Sequence, residues 1–411
     1  MKYLTVARNH WKKLSFGAVG LSYGGLVLKE KYDIRCHMRT MSQLISGYTG
    51  GTVDPKHVLV VVNPAANNKK AFKMFQKYCE PLLHLAGYSV NVFQTNYVGH
   101  AKSYVEELKT LPDAIVVAGG DGTSSEVVTG LLRREQNPCP ILILPLGKTN
   151  KTIFNVTPSL VTNNEVEYVK RMSEAIIPLV NDSFQYKSVI KFNIINTEND
   201  SANSNLKPIY GLHNFSWGVL RDIESIKDKY WYFGRFRHYA AAFLNAFSND
   251  LNWKLSTSFI YSPPCPGCRN CLIPEKQNDE INILRNFVFK NLSRKRNPAE
   301  FIENEDCIKC IEGEVDTNQM SVVCRHEEKD LHELETRFFS NFSPGFDFIK
   351  NISNITRNAL EPSMLFKSRE IKLFPKPQDP KSNFCYSIDG EEYEAHAIKM
   401  QIIPNAIKLI C

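Results

Sequence analysis

Between residues 57 and 147 two hydrophobic rhythms take turns along the chain. His57-Val-Leu-Val-Val-Val-Asn-Pro64 is an unbroken apolar run closed by a turn, and Lys69–Ala86 then places Phe72, Phe75, Leu82 and Leu83 at helical spacing. Tyr88–Thr95 predicts a second strand, His100–Lys109 a helix and Asp113–Ala118 a third strand. A helix opens at Thr123, and Pro140–Gly147 predicts a fourth strand. Strands apolar at every position are covered on both faces, and strands joined by helical crossovers pair in parallel. Past Pro178 the rhythm shortens to Ser188–Ile195, Tyr210–Val219, Ile371–Leu373, Phe384–Ile388 and Ala397–Ile403, the mark of a mostly antiparallel second domain.

Length and composition agree with two domains. A chain of 411 residues exceeds what one core usually holds, and 43% hydrophobic with 23% charged residues is ordinary globular composition. The boundaries read as an arm over 1–55, an α/β domain over 56–180 and a second domain over 181–411. Charge changes the picture only at the start. Residues 1–40 carry eight basic and two acidic residues, so +6 of the net +7 sits there. The near-neutral remainder excludes a broad nucleic-acid footprint.

The same arm holds an uncharged stretch, Leu14 to Leu28, flanked by Lys12, Lys13, Lys29 and Lys31. As a helix it reaches roughly 22 Å, short of a hydrocarbon core of about 30 Å, although flanking lysines extend such segments by snorkelling. It reads as a membrane anchor or organelle-targeting segment; a secretory signal and a soluble helix are the competing readings.

The chemistry concentrates where the predicted parallel strands end, the usual ligand edge of such sheets. Asn63-Pro64, Thr95, Gly119-Gly-Asp-Gly-Thr123 and Leu146-Gly147-Lys148-Thr149-Asn150 all stand there. Glycines between a strand and a helix let backbone N–H groups approach phosphate oxygens, and the helix N-terminus favours the anion. Asp121 would repel a bare phosphate, so it implies an intervening Mg²⁺ ion or a transferring proton, and hence phosphoryl transfer. The turn is neither G-x-G-x-x-G nor a P-loop, because Leu142 occupies the place of the required glycine before Gly147-Lys148-Thr149. In the second domain, Cys385-Tyr-Ser-Ile-Asp-Gly-Glu391 reads either as a plain Asp-Gly hairpin or as a site carrying Asp389 and Glu391.

Two further segments leave alternatives open. Lys229 to Tyr239 interleaves aromatics with Arg235, Arg237 and His238, which suits a lipid-entry face or a sandwich core with a basic edge. The stretch 263–345 looks charged and helical, and contains Cys265, Cys268, Cys271, Cys307, Cys310 and Cys324. Cys268, Cys271, Cys307 and Cys310 form two C-x-x-C pairs that suit tetrahedral zinc, with disulfides or free thiols as the other readings.

Taken together, Gly-Gly-Asp-Gly-Thr at 119–123, Asn63-Pro64, Gly99-His100-Ala101, Leu144-Pro-Leu-Gly147 and Ile388-Asp-Gly-Glu391 resemble the diacylglycerol kinase catalytic family, which includes sphingosine and ceramide kinases. Trp217-Gly-Val-Leu-Arg-Asp222 and Lys229-Tyr-Trp-Tyr-Phe-Gly234 look closer to its acylglycerol kinase branch. The resemblance covers about 57–262 and 384–411, leaving 263–345 as an insertion. It implies an N-terminal three-layer α/β nucleotide-binding domain followed by a β-sandwich, with the active site between them. It further implies Mg²⁺-dependent transfer of the ATP γ-phosphoryl group to mono- or diacylglycerol, with ceramide or sphingosine as further acceptors.

By position, Asn63, Thr95, Gly119, Gly120, Asp121, Gly122, Thr123, Ser124, Ser125, Gly147, Asn150 and Glu391 would meet the nucleotide. Asp389 and Asp121 would be the catalytic pair and the Mg²⁺ ligands. The branch also implies a mitochondrial inner-membrane location facing the intermembrane space, and a kinase-independent part in a carrier translocase. Lys148 and Lys151 depart from the family loop, which usually reads Gly-Thr-x-Asn-Asp. NAD kinase shares the Gly-Gly-Asp-Gly turn, but the N-terminal arm and Trp217–Arg221 speak against it.

Overall fold

A computed structural model describes residues 11–48, 55–134, 136–147, 165–195, 207–212, 214–247, 251, 253–265, 309–326, 332–340, 343–356, 361–376 and 384–411. The chain divides into two compact units, Met1–Lys187 with Ile407–Cys411, and Ser188–Ala406.

The first unit opens with α1 (Trp11–Tyr48). The parallel sheet then follows the alternating rhythm: β1 (His57–Val62), β2 (Ser89–Gln94), β3 (Ala114–Gly119) and β4 (Ile141–Pro145), in the order β2-β1-β3-β4. In register, Val60 lies between Val92 and Val116, and Val116 faces Leu142. A last strand, β16 (Ile398–Ile410), joins the edge with Leu409 opposite Ile141. The crossovers are α2 (Ala71–Met74, continuing through a π turn at Phe75–Cys79 into Glu80–Leu85), α3 (His100–Glu107) and α4 (Asp121–Leu132). Helix α5 (Glu165–Glu174) packs with α1 and α2 on the face formed by Val60, Val62, Val116, Leu142 and Leu144. The alternate residues Val61, Ile115, Val117 and Ile143 are buried too, which is why these strands are apolar throughout.

Helix α4 lies against α3 with almost no gap. A methyl group at Gly130 would stand 2.6 Å from the Lys102 carbonyl oxygen and 3.0 Å from Val105 Cβ. Only a hydrogen side chain allows this approach.

The stretch expected to attach to a membrane is the first half of α1. Phe16, Leu21, Leu26 and Leu28 are exposed, whereas Ile34, Met41 and Ile45 in the second half enter the core of the unit. Among the described residues no helix is long and apolar enough to cross a membrane. Lys29, Glu30 and Lys31 close the apolar run before it reaches a spanning length. Farther along, the imidazole of His37 meets the Ser173 hydroxyl of α5 at 2.9 Å. Burial pushes His37 below the usual histidine range; Lys170 adds to this, while Glu174 and Glu167 oppose it.

The second unit is antiparallel. One sheet runs β12 (Met364–Ser368), β11 (His332–Phe339), β10 (Gln319–His326), β7 (Asn214–Gly218), β14 (Cys385–Ile388) and β15 (Glu391–Glu394). The other sets β16 beside β13 (Glu370–Lys376), β8 (Leu255–Ser262) and β9 (Ile311–Thr317). Their inner faces share one core that includes Phe215, Trp217, Phe259, Phe338, Leu373, Tyr386 and Met400. Phe259 meets Phe338 at 5.6 Å and Phe366 at 5.3 Å, rings from opposite sheets. β5 (Phe184–Ile194) pairs with β6 (Ile209–Gly211), so the single run expected at Tyr210–Val219 is two strands.

The region expected to be a charged, helical insertion needs correction. Its described parts form β9, β10 and β11, three central or edge strands of the unit. Met320 and Val322 on β10, and Leu334, Thr336 and Phe338 on β11, point inward at period two. The charges that hide this alternation are themselves buried in ion pairs. Glu333 meets Lys367 at 2.6 Å, and Glu335 meets Arg325 at 2.7 Å and also pairs with Arg337.

Replacing Gly130 by alanine in a helix interior ordinarily stabilises by up to about 1 kcal/mol. Here the collision with α3 should reverse the sign, and Gly130→Ala should cost about 1–3 kcal/mol in denaturant unfolding. His37 supplies a pH test. The unfolded chain takes up its proton near pH 6.5 whereas the folded chain resists, so stability should fall as pH drops below about 6.5. His37→Gln should flatten unfolding free energy between pH 5 and 7 relative to the native chain.

Candidate active site

The ligand edge of the parallel sheet is built from the turn between β3 and α4. Gly119 ends β3 fully inside the fold, Gly120 is extended, and Asp121 begins a twelve-residue helix. The helix therefore starts two residues earlier than Thr123, which places the Asp121 carboxylate in its first turn, buried at 8% exposure. A methyl group on Gly119 would lie 2.7 Å from Thr123 Oγ1, so glycine is what allows the chain to fold back over its own helix start.

Neighbouring strand ends tie into this turn. The Asn63 side chain donates to Thr123 Oγ1 at 3.3 Å, and its own oxygen accepts from the Ala65 amide at 3.0 Å. The Asn63 amide donates to the Ala118 carbonyl. Thus the Asn-Pro turn and the glycine turn are one hydrogen-bonded surface. Thr95, at the end of β2, is buried and donates its amide to the Val62 carbonyl. Beyond β4 the Tyr168 hydroxyl of α5 donates to the Pro145 carbonyl at 2.6 Å, which pins the approach to Gly147. Burial pushes that phenol up to about 12, so it stays a donor. Ser124 donates back to the Gly120 carbonyl at 3.1 Å. Asn150, Lys148 and Lys151 lie outside the described residues.

Glu126 is the residue that sequence reasoning missed. It sits on α4 among Asp121–Leu131, nearly all of them buried, and its carboxylate accepts from the backbone amides of Gly99 (2.8 Å), Ala101 (3.0 Å) and Lys102 (3.4 Å). These are the unsatisfied donors at the start of α3, and an anion is favoured there. Glu126 thereby holds the Tyr97–His100 turn that follows Thr95. A carboxylate inside a wholly buried helix was the available signal, since such a group must have partners.

In the second unit, Ile388 pairs with Glu391 across a two-residue turn, with φ +51° at Asp389 and +90° at Gly390. That is the Asp-Gly hairpin expected from sequence, and it serves a further purpose. The Asp389 carboxylate accepts from the Leu212 amide at 2.6 Å and the Asn214 amide at 2.9 Å, and is 6% exposed. Beside it the Tyr393 hydroxyl donates to Glu391 at 2.9 Å. Buried Arg221, within α6 (Val219–Ile226), reaches Asp222 at 3.0 Å and Glu392 at 2.9 Å, fastening the hairpin to that helix.

These donor sets bear on metal. Among the described residues no group of three or more His, Cys, Asp or Glu side chains converges on one point. A Mg²⁺ ion held by one carboxylate, water and phosphate oxygens fits Asp121; a protein-only cage does not. Of the four cysteines considered for zinc, Cys268, Cys271 and Cys307 lie outside the described residues, and Cys310 is an exposed free thiol.

The chain matches the family model of the diacylglycerol kinase catalytic domain over residues 57–178 and that of the acylglycerol kinase C-terminal region over 210–411. The chain belongs to the acylglycerol kinases of the diacylglycerol kinase catalytic family. It is an ATP-dependent lipid kinase. The stretch 263–345, expected to stand outside the family, falls within the second match. The Mus musculus protein named acylglycerol kinase, mitochondrial, is 28% identical over 426 residues, spanning 100% of this chain and 96% of that protein. Its Homo sapiens counterpart is 27% identical over 430 residues, with the same coverage of 100% and 96%. The solved structure of a putative diacylglycerol kinase from Bacillus anthracis str. Sterne shares the fold, with a TM-score of 0.51 at 15% identity over 87% of this chain and 98% of that one.

Substituting Glu126 by glutamine sets an NH₂ group against backbone donors and leaves some of them unpaired. The expected cost is about 1–3 kcal/mol in global unfolding. Amide hydrogen exchange at Gly99, Ala101 and Lys102 should quicken selectively, and unchanged exchange there would refute the capping role.

Proposed function

We propose that the chain transfers the γ-phosphoryl group of ATP to the hydroxyl of monoacylglycerol or diacylglycerol, giving lysophosphatidic and phosphatidic acid. Ceramide and sphingosine are further acceptors under this reading. The observation that carries it is the placement of Asp121 in the first turn of a buried helix, directly after the glycines that end β3. Backbone donors at that turn bind phosphate oxygens, with Asn63, Thr95, Thr123, Ser125 and Gly147 around the nucleotide. When bound beside Asp121, Mg²⁺ supplies charge neutralisation to the phosphates.

Asp389 takes the proton from the lipid hydroxyl, whose own pKa lies far above 7. Each of its oxygens accepts one backbone N–H, from Leu212 and Asn214, which orients the carboxylate toward the proton it takes. Glu391 is the group that supports metal or nucleotide under this reading. The names of the relatives support a mitochondrial location, and the inner membrane facing the intermembrane space is the placement proposed here.

The test is the purified full chain with MgATP and monoacylglycerol, diacylglycerol, ceramide or sphingosine assayed side by side in mixed micelles. Asp121→Asn should lower kcat by about 10³-fold, and Asp389→Asn by about 10²–10⁴-fold with the thermal transition retained. Undiminished turnover in Asp121→Asn, or phosphorylation of NAD in place of lipids, would refute the proposal.

A further inference from the structure

The second unit carries a helix whose apolar residues are sorted the wrong way round for a protein surrounded only by water. In α7 (Arg237–Asn245) and the residues just after it, Ala241, Ala242 and Ala246 fill the core beside Val219, Ile223 and Phe348. The large side chains face outward: Phe243 is 57% and Phe247 62% exposed. The preceding 3₁₀ segment, Lys227–Phe236, does the same, with Trp231 74% and Phe236 62% exposed. Phe346, 80% exposed, meets Phe247 edge-on at 5.3 Å and adds a third element to the same cluster. The sandwich-core alternative for Lys229–Tyr239 therefore fails. Burying an aromatic ring stabilises by roughly 1.5–3 kcal/mol, so a fold that seats alanines inside and leaves five such rings outside has not used them for its own core.

We propose that this aromatic face is the surface by which the enzyme docks on a lipid bilayer. The inference rests on the lipid-kinase assignment and adds where the protein meets its substrate's phase. Two observations select a bilayer over another protein surface. Tryptophan, tyrosine and phenylalanine together are the chemistry of the membrane–water boundary. Residues 227–247 also hold four lysines and arginines against one acidic residue; Lys227 and Arg237 pair with Glu224 and Asp228, and Lys229 is exposed, a positive charge suited to anionic headgroups. Any lipid kinase turns its acceptor into a more anionic lipid, so the reaction itself strengthens the attraction of this rim to the membrane.

Trp231 gives a direct reading. With full-length protein and phosphatidylcholine vesicles, with and without phosphatidic acid, its emission should shift to the blue and be quenched by brominated acyl chains, more strongly with phosphatidic acid present. Trp231→Phe should remove that response. Replacing Phe243, Phe247 and Phe346 together by serine should weaken vesicle binding by at least about tenfold. Turnover of vesicle-borne diacylglycerol should fall with it, while turnover of a short-chain, monomeric diacylglycerol stays within about twofold.

Unchanged vesicle binding in the triple variant would overturn the proposal and pass attachment to the exposed half of α1. A loss of self-association in that variant with no change in vesicle binding would overturn it in favour of a second copy on this face. Vesicle binding is read without ATP. Absence of turnover on every acylglycerol would therefore refute the acylglycerol acceptor alone, and the Trp231 signal would still decide the docking face.

Discussion

Helix α4 is the constraint on which the nucleotide edge depends. Its residues from Asp121 to Leu131 are nearly all buried, although half of them are polar, so each polar group must find a partner inside the fold. Glu126 meets this demand by accepting from three amides at the start of α3, and Asn63 meets it by donating to Thr123. Gly130 lets the two helices approach until backbone nearly touches side chain. The turns after β1, β2 and β3 are thereby held to one another without relying on the ligand. Under the proposed reaction, an edge that is already assembled needs little reorganisation when charge moves during transfer.

The first unit was largely legible because each strand is covered on both faces and each crossover has helical spacing, so residues 57–147 carry strong, repeated signals. The glycine turn was legible for a related reason: few backbones other than a strand-to-helix turn need Gly119-Gly120 before a helix. What escaped was long-range. The partners of Asp389 lie 175 and 177 residues before it, and no local pattern reveals that a hairpin aspartate will cap the amides of Leu212 and Asn214. Strands β10 and β11 escaped for another reason. Their inward residues alternate cleanly, but Glu333 and Glu335 fill the other face, and ion pairs allow those charges to be buried where composition alone suggests a solvated helix.

The two aspartates differ in what holds them, and this difference bears on their division of labour. Asp121 stands at a helix start, where the positive end of the helix and any phosphate ligand set its surroundings. Asp389 is fixed by two backbone donors in a turn with left-handed dihedrals, and the hairpin is fastened to α6 by the Arg221–Glu392 pair. A group that must remove a proton from one defined oxygen gains from such rigid orientation. A group that must accommodate a metal and phosphates gains from the positive end of a helix. Under the proposed reaction, these surroundings suit Asp389 to the role of base and Asp121 to that of partner to metal and phosphates.

A kinase whose acceptor is a lipid faces a constraint that soluble kinases do not: the acceptor is concentrated in a phase the protein core cannot enter. Strong affinity for the acceptor alone would not solve this, because a diacylglycerol must leave its neighbours before it can be bound, and each exposed methylene costs about 0.8 kcal/mol. Bringing the enzyme to the interface removes that cost from the encounter. The outward phenylalanines of α7 and the alanines packed beneath them make sense in those terms, since rings placed inside would add stability to the unit but leave it indifferent to the membrane. Stability surrendered on that face is returned when the face meets lipid, which couples the full stability of the second unit to the place where its substrate resides.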